Sequence, residues 1–428
     1  MDAPVVRVGV LGCGNVGAAL VGLIAEQADA IEARTGLRLQ VARVAVRNVS
    51  KDRPVELPEG CLTHDAAGVV ADPGIDVVVE MIGGIEPART FVLDALKAGK
   101  PVVTANKELL ANVGADLFVA AEAAGVDLLF EAAVAGGIPI IRPLRESLAG
   151  ERVRRVMGIV NGTTNFILTR MSEDGTDYAD ALSEAQSLGY AERDPTADVE
   201  GFDAGAKAAI LATIAFGANV VAGDVYHEGI ASVTSTDIAF AHRLGYEIKL
   251  LAIADQTDDG RIAVRVHPAM VATDHPLASV RDSFNAVFVE GDTVGQLMFY
   301  GRGAGGGPTA SAVLGDLIDA AGNLRKGTSA SIGTLPRARV RPIDEVRSEF
   351  YLNMEVLDRP GVLHAVSGVF AEHDVSIRSM EQEGLGDEAR LIFITHEAPE
   401  SAVQSTLRDL RELPAVDRIT SVLRVVGP

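Results

Sequence analysis

Cysteine is nearly absent: Cys13 and Cys61 are the only two in a chain of 428 residues. Two thiols cannot build a disulfide framework, and their spacing is not that of a metal cluster. Basic residues are in deficit, 38 Lys and Arg against 59 Asp and Glu, which leaves a formal net charge of −21. That charge repels phosphate backbones and anionic lipid, so neither nucleic acid nor a membrane is expected as partner, and a small molecule met by local Lys and Arg is. Long apolar runs are missing as well. With 48% hydrophobic and 23% charged residues the composition is globular, and the apolar stretches are broken by Gly or charge. The N-terminal residues do not follow the basic, apolar, cleavage-site order of a signal peptide, so a cytoplasmic location is expected.

The length predicts two or three domains. The opening VVRVGVLGCGNVGAALVGLIAEQ places Gly12, Gly14 and Gly17 at G-x-G-x-x-G spacing between a β-branched run and a helical pattern, with Asn15 and Val16 in the same loop. In that context the glycines permit a tight turn and close approach of a pyrophosphate to a helix N-terminus, which predicts dinucleotide binding. A second strand, Leu39 to Val46, ends at Arg47 and Asn48, where an NAD-selective site would carry an acid. NADP(H) is therefore favoured over NAD(H), although a solvated surface arginine remains the alternative for Arg47. Strand Ile75–Met81, helix Ala88–Ala98, strand Pro101–Ala105 and helix Glu108–Ala124 continue the alternation. The fold class is α/β, with a doubly wound Rossmann-type domain over residues 1–130. Its ligands are expected outside the carboxyl ends of the strands, where Gly83, Gly84, Thr104, Asn106 and Lys107 fall. Lys107 is placed over the nicotinamide crevice, an ordinary exposed lysine being the alternative.

From Asp127 a strand is expected to lead through a Gly pair to Pro139 and a further helix. The later segment YAERDPTADVEGFDAGAKAAILATIAFG concentrates carboxylates before an apolar helix on which Asp203 and Lys207 stand four residues apart. That spacing puts both on one helical face, where isolated charges would form only a surface ion pair. Followed by AAILATIAFG, however, Lys207 is expected to be partly desolvated. A lysine there can protonate an alkoxide during hydride reduction of an aldehyde, while Glu192, Asp198 or Asp203 orients the donor or pairs with a substrate ammonium.

GVLGCGNVG, TANKELLA, NGTTNFIL, LGYAERDPTADVEGFDAGAKAAILA and GRGAGGGPTAS, in this order over nearly the whole chain, resemble the homoserine dehydrogenase family. The resemblance implies NAD(P)H-dependent reduction of L-aspartate 4-semialdehyde to L-homoserine in threonine, methionine and isoleucine biosynthesis. It implies that Lys207 is the proton donor, that Lys107 assists at the carbonyl, and that Glu192, Asp198 and Asp203, with Gly189 in the same segment, hold the amino-acid end of the substrate. It also implies a sodium ion on Glu131 and the backbone carbonyls of Val134, Gly136 and Ile138. By the same resemblance the Gly301, Gly303, Gly306 loop returns to the first domain, with Gly303 at the cofactor, and residues 301–321 complete that domain.

Residues 131–321 are read as an α+β catalytic and oligomerisation domain of a homodimer or homotetramer. Tyr246–Ala254, Arg261–Val266 and Ala286–Glu290 form a separate sheet in it, and a helix is expected at Thr309–Ala321. After a linker at 322–348, residues 349–428 show the βαββαβ order of a ferredoxin-like unit and resemble an ACT domain. Its LDRPGVL segment puts Pro360 and Gly361 at a helix start suited to a carboxylate. The resemblance implies threonine as the effector, with neighbouring Asp358 shaping its pocket. A purely oligomerising module is the alternative. A hydroxy-acid or prephenate dehydrogenase would present a catalytic His, of which the acidic segment has none, and an aspartate semialdehyde dehydrogenase would need a nucleophilic cysteine. A non-enzymatic redox-sensing regulator would need a basic patch.

Overall fold

The computed structural model describes residues 3–427 except 334, 385 and 387. The residues gather into two compact units, one of Met1–Val156, Ala206–Val225 and Asn285–Ala338, the other of Met157–Gly205, Tyr226–Phe284 and Arg339–Pro428. Among the described residues no helix is long and apolar enough to cross a membrane.

The first unit is built on strands β1 (Val5–Leu11), β2 (Arg38–Ala45), β3 (Leu62–Thr63), β4 (Val77–Glu80), β5 (Val102–Thr104) and β6 (Leu128–Leu129). They form one sheet in the order β3-β2-β1-β4-β5-β6, every pair parallel. The order reverses between β1 and β4, so a crevice opens there beyond the carboxyl ends of the strands. Helices α1 (Asn15–Glu26), α2 (Ala28–Thr35), α3 (Ala66–Ala71), α4 (Ala88–Lys97) and α5 (Lys107–Ala124) make the connections. Val8, Val10, Val77, Val79 and Val103 of the sheet share a core with Leu20 and Ile24 of α1 and with Val313, Leu317 and Ala321 of the helix Gly306–Lys326. Near-continuous β-branched burial is what a parallel sheet covered on both faces demands.

Two expectations for this unit change. The last helix runs from Gly306 to Lys326 rather than ending at Ala321, because Asn323 to Lys326 extend it to a left-handed C-cap at Gly327 (φ 66°). The strand expected from Asp127 is only Leu128–Leu129, since a 3₁₀ turn at Glu131–Ala133 follows at once.

In the second unit, hydrogen-bonded neighbours run Tyr246–Gln256, Ile262–Ala272, Val416–Val426, Arg347–Leu357, Glu388–Thr395 and Ile377–Gly384. The C-terminal βαββαβ residues close their own core around Phe350, Leu352, Met354, Val366, Phe370, Leu391 and Phe393. Tyr246–Gln256 and Ile262–Ala272 do not, however, form a sheet separate from these strands. Ala269, Met270 and Val271 pair in parallel with Arg424, Val425 and Val426, so the two sets of strands make one sheet. The reason is the edge: an outer strand of either set, left alone, would present a row of unpaired backbone groups.

Candidate active site

The three motif glycines do different work. A Cβ on Gly12 (φ 99°) would stand 2.6 Å from the Met81 carbonyl oxygen, and one on Gly17 would stand 2.4 Å from that of Gly12, so both are dictated by the turn itself. A Cβ on Gly14 would meet no atom within 4 Å, which leaves space over the loop. Gly14 is also the N-cap of α1 and offers no side chain to its first amides, whose donors stay available to a pyrophosphate. A cleft of about 810 Å³ opens here, lined by Gly12, Gly14, Arg47, Lys51, Arg53 and His64 among others. Arg47 therefore faces the cleft, in company with two further cations that the sequence reading did not single out.

A second cavity of about 290 Å³ shares Met81, Ile82 and Gly83 with the first and is lined by Val16, Asn106, Lys107, Gly136, Lys207 and Gly303. Lys107, at the start of α5, and Lys207, a half-buried residue far away in sequence, thus meet in one cavity at the switch point of the sheet. The loop of Ile82 and Gly83 on the wall common to both cavities is shaped by Glu80, a fully buried carboxylate at the end of β4. It accepts the amide hydrogens of Ile82 at 2.7 Å and Gly83 at 3.2 Å and the Thr104 hydroxyl at 2.6 Å. Thr104 is fully buried, its hydroxyl donating to Glu80 and accepting the Asn106 amide, which fixes the loop. Asn106 caps α5 through Leu109 and donates to the Gly84 carbonyl at 2.7 Å.

The Glu131 side chain is buried and accepts the amides of Ile140 at 2.5 Å and Ile141 at 2.7 Å on Oε1 and of Arg142 at 2.9 Å on Oε2. Two donors fill the lone pairs of Oε1, and one lone pair of Oε2 is left for a hard cation. Val134 and Ile138 are buried, and left-handed turns at Ala135 (φ 55°) and Gly136 (φ 52°) lie between them, the kind of backbone that can turn carbonyls to a common point. Asp316 accepts the Glu131 amide at 2.7 Å and the Arg142 guanidinium at 3.1 Å, and burial pushes its carboxyl up to about 7.

In the second unit the buried Asn161 donates to Asp198 at 2.7 Å and Asp203 at 2.9 Å, bringing two of the three predicted carboxylates together. Its own oxygen caps the helix Gly162–Glu173 through the Thr164 amide, which fixes the amide's orientation. Glu192 stays exposed, beyond the left-handed Gly189 (φ 78°). Asp203 begins the helix Phe202–Phe216 that carries Lys207 one turn on. Between them a Cβ on Gly205 would lie 2.0 Å from Nε2 of His227, so that imidazole sits flush on the helix. Neither Gly205 nor His227 carried a local signal. Asp358 and Gly361 are exposed at the start of the helix Val362–Glu372, where Gln382 donates to Asp358 at 3.4 Å.

The homoserine dehydrogenase NAD-binding domain model matches residues 12–131, the homoserine dehydrogenase model residues 139–318 and the ACT domain model residues 350–415. The homoserine dehydrogenase of Mycobacterium tuberculosis is 51% identical over 442 residues, covering 100% of this chain and 99% of the relative. The chain belongs to the homoserine dehydrogenase family. It is an oxidoreductase acting on a CH–OH group, with a nicotinamide-coenzyme domain and an ACT domain. Among solved structures, that of the Thiobacillus denitrificans homoserine dehydrogenase matches with TM-score 0.94 and 41% identity over 100% of both chains. A hyperthermophilic archaeal homoserine dehydrogenase in complex with NADPH matches with TM-score 0.62 and 29% identity over 74% of this chain and 98% of its own.

Proposed function

We propose that this homoserine dehydrogenase reduces L-aspartate 4-semialdehyde to L-homoserine with NADPH, reversibly, and that Lys207 delivers the proton to the nascent alkoxide. The observation that carries the reading is the cavity in which Lys107 and Lys207 meet, continuous through Gly83 with the Gly-rich cleft. The coenzyme, when bound, supplies the hydride. Lys207 then stands as a cationic donor beside the oxygen on which charge develops, and Lys107 adds a second positive charge to the same cavity. Asp198 and Asp203 hold the substrate ammonium, with Asn161 fixing both carboxylates, and Glu192 adds charge from the exposed side of the segment.

NADPH is favoured over NADH because Arg47, Lys51 and Arg53 stand around the cleft next to the second strand, where a 2′-phosphate would be met by charge-assisted hydrogen bonds. The archaeal relative solved with NADPH supports that choice. A sodium ion fits on the free lone pair of Glu131 with the carbonyls of Val134, Gly136 and Ile138, where it would brace the buried loop that borders the cavity at Gly136. The ACT domain takes threonine, its carboxylate at the helix start by Gly361 and its ammonium near Asp358. The assembly is a homodimer or homotetramer in the cytoplasm.

Lys207→Ala tests the assignment of the acid: turnover should fall by roughly 10² to 10⁴ with the dissociation constant for NADPH nearly unchanged. Near-normal turnover in that variant would remove Lys207 from the mechanism.

A further inference from the structure

Arg424, in the C-terminal strand, touches neither cavity, yet its side chain is only 4% exposed. Its guanidinium is gripped from two sides. Nε and Nη2 donate to the two oxygens of Glu400 at 2.9 Å, and Nη1 and Nη2 donate to the two oxygens of Glu228 at 2.9 Å. Paired forks of this kind need the planar geometry of arginine. Tyr226 donates its hydroxyl to Glu228 and presents its ring 5.4 Å from the guanidinium carbon.

Glu228 lies in the segment 226–230, whose other side packs on the turn that opens the helix Phe202–Phe216. The Ile230 amide donates to the Val199 carbonyl at 2.9 Å, and a Cβ on Gly229 would lie 2.4 Å from that same oxygen. His227 covers Gly205 and packs in a tilted contact on Phe202 with centroids 5.2 Å apart. The Glu228 amide is held at 2.8 Å by Val266, on the strand Ile262–Ala272 that pairs with Arg424 at Ala269. Two contacts therefore separate the last strand of the ACT domain from Asp203: Arg424 grips Glu228, and the segment bearing Glu228 seats residues 199–205.

A desolvated arginine between two carboxylates contributes little stability over apolar side chains of similar volume, because desolvation offsets the attraction. What such a triad imposes is geometry. We infer that Arg424 and Glu228 are positioning residues that hold the segment 226–230 in the one arrangement that seats the acidic end of the helix, so that the C-terminal strand sets the enzyme's affinity for the amino-acid end of its substrate. The inference rests on Asp198 and Asp203 being the ligands of that end, as proposed above.

The test uses full-length enzyme with Arg424→Lys, which keeps the charge and loses the forks, and Glu228→Gln, an isosteric change at a side chain 32% exposed. Each should raise the KM for aspartate semialdehyde about tenfold while the KM for NADPH stays within about twofold, and the double variant should match the larger single effect. A merely structural role would lower the Tm and move both KM values together. Unchanged semialdehyde KM in both single variants, parallel movement of the two KM values, or simple additivity in the double variant overturns the inference. Asp198→Asn, measured alongside, separates the two levels. A raised semialdehyde KM in Asp198→Asn alone sinks the positioning role and leaves the ligand assignment standing, whereas an unchanged KM in Asp198→Asn sinks the ligand assignment and the inference with it.

Discussion

Lys249 stands in the strand Tyr246–Gln256 with 1% of its surface exposed, donating to the Val280 carbonyl at 2.6 Å. Burial, reinforced by Arg281, brings its ammonium down to about 8 from 10.5. The unfolded chain therefore binds more protons than the folded one between about pH 8 and 10.5, and stability rises with pH across that window. Below it the buried charge costs on the order of 3 kcal/mol. Lys249→Met should raise the unfolding free energy at pH 7 and flatten the dependence of stability on pH above 8, both read by denaturant unfolding. A Met variant less stable at pH 7 would show that the hydrogen bond to Val280 outweighs the buried charge, and a retained slope would show that another group carries the pH dependence. Residues of this kind were not legible in the sequence. Asp203 and Lys207 were, because a four-residue spacing on an apolar helix is a local pattern. Glu80, Asn161, Gly205 and Arg424 act on partners 22 to 196 residues away, and nothing in their immediate neighbours announces it.

At the scale of elements the alternation of strand and helix through α5 could be read from periodicity, since a doubly covered parallel sheet writes its burial into consecutive β-branched residues. The C-terminal βαββαβ order was equally plain. What periodicity could not carry was where that unit's outer strand goes, because pairing between Ala269–Val271 and Arg424–Val426 joins segments about 155 residues apart and leaves no trace in either alone. Deleting residues 416–428 should expose two strand edges at once, that of Ile262–Ala272 and that of Arg347–Leu357. The Tm should drop by roughly 5 °C or more, with growth of higher-mass species in light scattering. An unchanged Tm and mass distribution would mean that the shared sheet contributes nothing to stability.

For the whole molecule, a net charge of −21 describes an acidic enzyme in which two lysines, Lys107 and Lys207, nonetheless line one cavity. Because the ACT strands and the acidic end of the helix Phe202–Phe216 belong to one compact unit, threonine at the site proposed near Gly361 would be placed to alter substrate affinity. Threonine should slow turnover with a coupling of about 1 to 3 kcal/mol, and binding seen by calorimetry without any change in rate would leave the ACT domain a structural module. The most direct test of the central claim follows coenzyme absorbance as substrate is added. Purified enzyme should oxidise NADPH only when aspartate semialdehyde is present, forming homoserine, and should do so with higher kcat/KM than with NADH. Failure to oxidise either coenzyme in the presence of that aldehyde would contradict the account.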